Sequence, residues 1–347
     1  MTTDDTPARH RRRPRYAGKN PRRFDEKYKE LDPDQYAADV RKVLDSGKTP
    51  AGMHRAIMID EVLQALAPKP GEIAVDGTLG FGGHARAILE RIQPGGRLVA
   101  LDVDPIELPR TSERLRAAGF SADVFTAHRS NFAGLPQVLE KEGVAAADLV
   151  VLDLGVSSMQ LDNPARGFGY KESGPLDMRM NPARGEPASQ LLTRLSERKL
   201  ARLLEANADE PNARAIARAL TTRPIATTAE LSRRIRAAVV GLRGTATDTE
   251  LEKAVRRTFQ ALRIAVNDEF SALDTFLRQL PACLAAGGRV AMLTFHSGED
   301  RRVKKAFEAG RGEGLYAAIA DEVVRPSAEE IRANPRAGSA KLRWARR

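Results

Sequence analysis

Cys283 is the single cysteine in 347 residues, so an internal disulfide is excluded. Five histidines are scattered along the chain with no cluster at zinc-ligand spacing, which argues against metal chemistry. No apolar run reaches the roughly 18 residues needed to span a bilayer, and no signal-peptide core follows the start. A cytosolic protein with no membrane partner is expected. Acid is in deficit: 56 Lys and Arg stand against 46 Asp and Glu, a formal charge of +10. That balance favours a polyanionic partner, with nucleic acid the natural candidate. Apolar residues at 42% supply an ample core, and the length suits two domains or one domain with a large insertion.

The chain is organised around IAVDGTLGFGGH, residues 73–84, which reads as a buried strand, a glycine loop and the start of a helix. Gly80, Gly82 and Gly83 permit a tight turn and a close approach of backbone to a ligand. Gly80-x-Gly82-x-x-Ala85 also fits the degenerate dinucleotide fingerprint, so a nicotinamide cofactor stays open on the glycines alone. Asp76, closing the strand, suits a ligand with an ammonium group near the loop, as S-adenosylmethionine has. Asp102 ends the next apolar strand, RLVALD, where an acid can accept ribose hydroxyls. Both acids could equally cap the turns that follow them.

Residues 1–35 open on eight basic side chains between Arg9 and Arg23 and read as a disordered arm able to neutralise RNA phosphates. A short helical pattern covers Tyr36–Leu44, and Ile59, Val62, Leu63 and Leu66 share one helical face. Strands are expected at 73–76, 97–102, 121–126 and 148–153, with helices at 84–92 and 105–118 between them. This alternation defines a doubly wound α/β sheet with its crevice at the strands' carboxyl ends. It then stops. Residues 157–180 are loop-like, and helical patterns follow at 188–195, 197–207, 212–220 and 228–240. A long helix from about 250 to 280 leads to a strand at 288–295, and 315–324 and 340–344 can supply the last pair of a seven-stranded sheet. The expected division is an arm at 1–35, a first sheet part at 36–156, a helical substrate domain at 157–250 and a second sheet part at 251–347. Arg198, Lys199, Arg202, Arg214, Arg218, Arg233, Arg234 and Arg236 make the insertion basic beside the crevice; individually such residues are usually solvated helix faces.

Asp153 ends the fourth strand, where a transferable methyl would point. If the acceptor is an amine, Asp153 can take a hydrogen bond from it and aim the nitrogen lone pair; otherwise it is a strand terminator. Carbon-5 methylation of a pyrimidine needs a covalent thiolate, and Cys283 is not beside the fourth strand. His296 and Ser297, at the end of the fifth strand, face the same crevice, and His296 could contact substrate or shuttle a proton, or be purely structural. Phe132 lies where an aromatic could cover adenine, or belongs to the core.

Several long strings carry a resemblance: DGTLGFGGH (76–84), LDLGVSSMQLD (152–162), RGFGY (166–170), GPLDMRMNP (174–182), RTFQALRIAVNDE (257–269), LAAGGRVAMLTFHSGEDRRVKKAF (284–307) and NPRAGSAKLRWARR (334–347). Together they closely resemble the ribosomal RNA small subunit methyltransferase H family. The resemblance implies a class I, Rossmann-like methyltransferase sheet interrupted by an all-helical substrate domain. It implies S-adenosyl-L-methionine as cofactor, N4 of a decoding-centre cytidine as acceptor, and 16S rRNA of the small ribosomal subunit as partner. By the same resemblance Gly82, Gly83 and His84 contact the cofactor, Asp102 its ribose and Phe132 its adenine region. Asp153 and Gln160 fall at its methionine end or in the catalytic pocket. The chain departs from the family pattern in four places: His54-Arg-Ala-Ile-Met for His-x-Pro-Val-Leu, Gly298 for Leu in His-Ser-Leu-Glu-Asp-Arg, Ala208-Asp209-Glu210 for Gly-Glu-Glu, and a short region after Phe307. Oligomeric state stays open, a homodimer included. A nicotinamide-dependent dehydrogenase and a non-enzymatic RNA-binding assembly factor are the rival classes.

Overall fold

Alternating apolar positions on the central strands decide the architecture, because those strands bury both faces. The computed structural model describes residues 56–347, so the basic arm, the 36–44 pattern and His54 lie outside the described residues. Five strands run parallel: β1 (Ile73–Asp76), β2 (Arg97–Asp102), β3 (Phe125–Arg129), β4 (Ala147–Asp153) and β5 (Leu284–Thr294). β6 (Ala318–Ile319) and β7 (Lys341–Arg346) follow, and β7 lies antiparallel to both β5 and β6. The seven strands are ordered β3-β2-β1-β4-β5-β7-β6.

Along the central strands, Val75, Val99, Val150, Leu152, Val290 and Met292 face one core, and Ala74, Leu98, Leu149, Val151, Ala291 and Leu293 face the other. That period of two in near-continuous apolar runs is what a sheet covered on both sides requires. α1 (Ile59–Leu66), α2 (Gly83–Ile92) and α3 (Glu107–Ala117) cover the second core. α4 (Leu135–Lys141) covers the first. The strand order reverses between β1 and β4, so the crevice expected of such a sheet opens at Asp76 and Asp153.

Between β4 and β5 stand α5 (Ser158–Asp162), α6 (Ala188–Arg194), α7 (Glu197–Ala208), α8 (Ala213–Leu220), α9 (Thr228–Arg243) and α10 (Asp248–Asn267). Ser196, Thr227 and Thr247 cap α7, α9 and α10 by accepting a backbone N–H three residues on. These helices share an apolar core of their own, from Phe168 through Leu200, Ile216 and Ile235 to Leu262. The expected boundary at 250 therefore falls inside α10, whose Val255, Phe259 and Leu262 belong to the insertion's core. The described residues belong to one compact unit, within which the helices form a third core.

The long helix expected over 250–280 is two helices. Asp268 adopts a left-handed φ of 51°, which ends α10 and starts α11 (Glu269–Cys283) in a new direction. β3 starts at Phe125 rather than Ser121, because a turn closed by Phe125 N–H on Ser121 O (3.0 Å) occupies residues 121–124. β5 begins four residues earlier than expected, at Leu284. α12 (Ser297–Gly312) and α13 (Ala328–Ala333) complete the fold; of 315–324 only Ala318 and Ile319 form a strand, while Val324 bridges Leu342.

Candidate active site

Asp76 ends β1 in the crevice and is 2% exposed. Its carboxylate accepts the Thr78 backbone N–H at 3.0 Å, and Gly77 N–H continues the sheet onto Val151 O at 2.9 Å. Burial, with the Asp102 charge adding to it, pushes the Asp76 carboxyl up to about 7 against the pull of the Thr78 bond. A buried carboxyl held near neutrality is poised to ionise when a cation arrives.

The glycine loop is ordered by protein contacts. Gly80 takes φ +48° and gives its N–H to Asp102 Oδ2 at 2.7 Å, while Thr111 Oγ1 donates to Gly80 O at 2.6 Å. At Gly82 a Cβ would stand 2.8 Å from Thr111 Cγ2, and at Gly83 2.8 Å from Ala56 Cβ. These two glycines are thus required by α3 and by the segment before α1, in addition to anything a ligand requires. Arg114 lies 3.9 Å over the Phe81 ring and donates to Thr111, fixing the outer side of the loop.

Asp102 holds the loop from β2: besides Gly80 it accepts the Asp104 N–H at 2.9 Å. Burial raises its carboxyl above the ordinary range, offset in part by those two bonds. Asp104, 1% exposed, then reaches across to the insertion. Its Oδ2 accepts Gln160 Nε2 and Arg166 Nη1, each at 2.8 Å. Arg166 also donates to the carbonyls of Arg179 and Met180, and Asn267 holds the same loop through Met180 N–H and Met178 O. Gln160 is spent on this network: its Oε1 accepts Ser157 N–H in the capping box of α5 while its Nε2 goes to Asp104. It supports the crevice from behind through protein groups on both sides of its amide.

Asp153 ends β4 beside β1. Thr78 Oγ1 accepts its backbone N–H at 2.6 Å, and one carboxylate oxygen, Oδ1, is shielded yet has no hydrogen-bond partner. The side chain as a whole keeps 32% exposure, and Oδ2 is 4.0 Å from His84 Nδ1. Burial, then the charges of Asp76 and Glu299, push the Asp153 carboxyl up to about 7. His84 is 7% exposed, and burial drives its imidazole down to about 4, so it is neutral at physiological pH. Its Nε2 is 3.0 Å from Ile57 O, a group that only accepts, which assigns the proton to Nε2 and leaves the Nδ1 lone pair toward Asp153. Phe132 packs edge-on against Phe276, 5.7 Å between ring centres, and is half-buried beside Gly77. Its ring is therefore part of the core as well as of the crevice wall.

At the end of β5, His296 caps α12: its Nδ1 accepts Glu299 N–H at 3.3 Å. Its Nε2 is shielded and lies 3.1 Å from Glu299 Oε1 without forming a hydrogen bond. Glu299, 3% exposed, accepts Phe295 N–H at 2.8 Å, and despite its burial the neighbouring His296 ring, the Arg263 guanidinium and that bond hold its carboxyl below the ordinary range. Ser297 points to the insertion instead, donating to Asp209 Oδ2 at 3.4 Å. Asp153 and His84 are thus in mutual reach and Glu299 acts on Asp153 electrostatically, whereas Ser297 belongs to the contact between α12 and α7. Asp104, Arg166, Arg263 and Glu299 were not singled out as site residues from sequence; all four lie in the strings quoted above or directly behind Asp102.

The eight basic residues of the insertion divide. Arg234 is 9% exposed and bound to Glu230 and the carbonyls of Arg223 and Pro224, so it is structural. Arg218 and Arg236 pair with Glu197 and Glu252. Arg198, Lys199, Arg202, Arg214 and Arg233 are exposed and remain candidates for RNA. Cys283 ends α11, and the next residue, Leu284, starts β5 in register with Ala147 at the start of β4, so the thiol is at the end of the sheet opposite Asp153.

A seven-stranded sheet of this order, with an antiparallel β7 and acids ending β1, β2 and β4, defines a Rossmann-like class I methyltransferase, here with a helical insertion after β4. The model of the MraW methylase family matches residues 51–347, and the chain belongs to that family. A ribosomal RNA small subunit methyltransferase H 2 of Alkaliphilus metalliredigens is 49% identical over 347 residues, covering 99% of this chain and 99% of that one. A ribosomal RNA small subunit methyltransferase H 1 of Lachnoclostridium phytofermentans is 47% identical and covers 97% and 93%. Among solved structures, fibrillarin of Aeropyrum pernix with bound S-adenosyl-L-methionine aligns at 10% identity and a TM-score of 0.36, over 82% of this chain and 74% of that one.

Proposed function

We propose that this chain transfers a methyl group from S-adenosyl-L-methionine to N4 of a decoding-centre cytidine in 16S rRNA of the small ribosomal subunit. Membership of the methylase family removes the nicotinamide-dependent reading, and the relatives named for small-subunit rRNA supply the substrate class. One observation carries the site assignment: Asp153 has a shielded oxygen without a partner at the mouth of β4, next to a neutral histidine.

The residues fit this cofactor. Asp76 is a buried acid whose ionisation a cation would favour, and Asp102, already bound to Gly80 N–H, sits where a ribose is held. Asp76, Asp102 and the 80–84 loop would hold it, and when bound it supplies an electrophilic methyl carbon. The acceptor amine of cytosine is weakly nucleophilic because its lone pair is delocalised into the ring. A carboxylate at Asp153 accepts a hydrogen bond from that amine, which fixes its orientation and draws electron density back to nitrogen. Asp153 would accept the proton that the amine gives up when the methyl carbon leaves sulfur for nitrogen. His84, with Nδ1 unprotonated, cannot donate to Asp153 and so leaves that carboxylate free for the substrate.

Tritium transfer from labelled cofactor to 30S particles lacking the modification, followed by nucleoside analysis, tests the proposal. Label recovered in N4-methylcytidine is the expected result. RNA binding with no transfer would make the chain an assembly factor instead, and label on another atom would overturn the acceptor.

A further inference from the structure

Arg263 lies on α10, in the last turns of the insertion, and its side chain returns to the sheet. Glu269 holds it from two directions, Oε1 accepting Nε–H and Oε2 accepting Nη2–H, each at 2.8 Å. Glu299 Oε1 stands 3.9 Å from Nη2. The guanidinium is thus fixed in plane, with 15% exposure, by a carboxylate at the first residue of α11. The remaining nitrogen, Nη1, has no hydrogen-bond partner among the described residues. It lies 3.9 Å from where a Cβ on Gly155 would stand, and that position is 4.0 Å from the Phe295 ring. Gly155 follows Asp153 by two residues, and Glu299, which touches Arg263, also bears electrostatically on Asp153. A pre-oriented cationic donor is therefore aimed at the same end of β4 as the partnerless carboxylate.

We propose that Arg263 Nη1 donates to N3 of the target cytosine while Asp153 accepts from N4, so that the pair reads the Watson–Crick edge of the extruded base. This rests on the methyl-acceptor reading above. Cytosine presents an amine donor at N4 beside an acceptor at N3, which an acid and a guanidinium match in that order. Uracil reverses both, placing a carbonyl against Asp153 and an N–H against Arg263. Lysine would keep the charge but not the fixed fork.

The experiment uses the full chain and a small-subunit RNA substrate carrying either cytidine or 3-deazacytidine at the target position, the analogue replacing the N3 acceptor with C–H. Wild-type kcat/KM should fall roughly 10- to 100-fold on the analogue, the usual loss for one charge-assisted hydrogen bond. Arg263→Gln should lose a similar factor on cytidine and show little further loss on the analogue, with Arg263→Lys between the two. Cofactor affinity should change by less than about 3-fold. An equal wild-type rate on both substrates overturns the proposal, and so does an undiminished analogue penalty in Arg263→Gln. Loss of cofactor affinity in Arg263→Gln with the penalty retained would assign Arg263 to the cofactor and overturn it equally. The wild-type arm needs no variant, so misfolding of Arg263→Gln cannot mask the result. Failure of wild type to methylate N4 of cytidine at all would instead defeat the functional reading on which this one rests.

Discussion

Arg166 Nη1 stands 2.8 Å from Asp104 Oδ2, with the two side chains 10% and 2% exposed. The pair joins the loop after β2, where Asp102 holds Gly80, to the first loop of the insertion, whose carbonyls at Arg179 and Met180 the same guanidinium binds. Removing one partner leaves a buried charge uncompensated, which typically costs 3–5 kcal/mol. Arg166→Met should therefore lower the unfolding free energy by about 3 kcal/mol, measured by denaturant titration. It should also weaken cofactor binding, because Asp104 is tied through its backbone N–H to Asp102. An unchanged unfolding midpoint would show the pair to be idle.

What the sequence displayed and what it hid follow the range of the interactions. The apolar runs of β2 and β4 and the acids ending β1, β2 and β4 are local features, and the sheet and crevice were legible from them. Arg166 and Asp104 are 62 positions apart and meet only once the insertion has folded back, so no local pattern marks the pair. Gly82 and Gly83 read as ligand-facing glycines, but the constraint the fold shows comes from Thr111 and Ala56. The break at Asp268 was hidden because the apolar spacing of α10 runs on into α11 while a single residue turns left-handed. Gln160 is legible as a cap of α5 through the Ser-x-x-Gln spacing, which needs no substrate to explain it.

Asp153→Ala should reduce methyl transfer at least about 100-fold, the lower range for a positioned acid–base group, and leave cofactor affinity within a few fold. With the Asp153 carboxyl pushed up to about 7, kcat/KM for RNA in the wild type should rise as pH climbs through that region. Asp153→Asn should be slow and lack that rise. Wild-type turnover in either variant would remove the residue from the mechanism.

Asp76 gives the ligand-free protein an inverted acid response. Its carboxyl is raised from the usual 3.8 to about 7, so the folded chain holds this proton more tightly than the unfolded chain does. The stability it contributes is complete below about pH 4 and is lost as pH rises through 7. Asp76→Asn, which keeps an acceptor for Thr78 N–H, should flatten that decline, and saturating cofactor should do the same by pairing the carboxylate. Unfolding free energies measured between pH 5 and 8 with and without the substitution check this; parallel curves would count against a buried, near-neutral Asp76.

Gly298, where the resemblance implies leucine, has no room for a side chain beside one neighbour. A Cβ there would lie 2.6 Å from Phe270 Cζ and 3.2 Å from His296 Nδ1, while Arg302 stacks 3.6 Å over the same Phe270 ring. Gly298→Leu should destabilise the protein by about 1–3 kcal/mol through overpacking. Phe270→Ala in the same chain should recover part of that loss, a non-additivity read directly from thermal midpoints. Simple additivity of the two substitutions would show that the ring does not set the residue at 298.

Residues 1–23 carry eight Lys and Arg against Asp4 and Asp5, a net +6 of the chain's +10. A segment that neutralises phosphates releases counterions, and each contact adds roughly 0.9 to the slope of log affinity against log salt on a duplex, roughly 0.7 on a single strand. Removing residues 1–35 should therefore reduce that slope by several contacts' worth while leaving the rate constant for transfer on saturating substrate unchanged, because Asp76, Asp102 and Asp153 all lie beyond the deletion. RNA affinity measured across a range of salt for the full chain and the truncated one separates the two effects. An unaltered slope would assign RNA attraction to the exposed cations of α7, α8 and α9 alone.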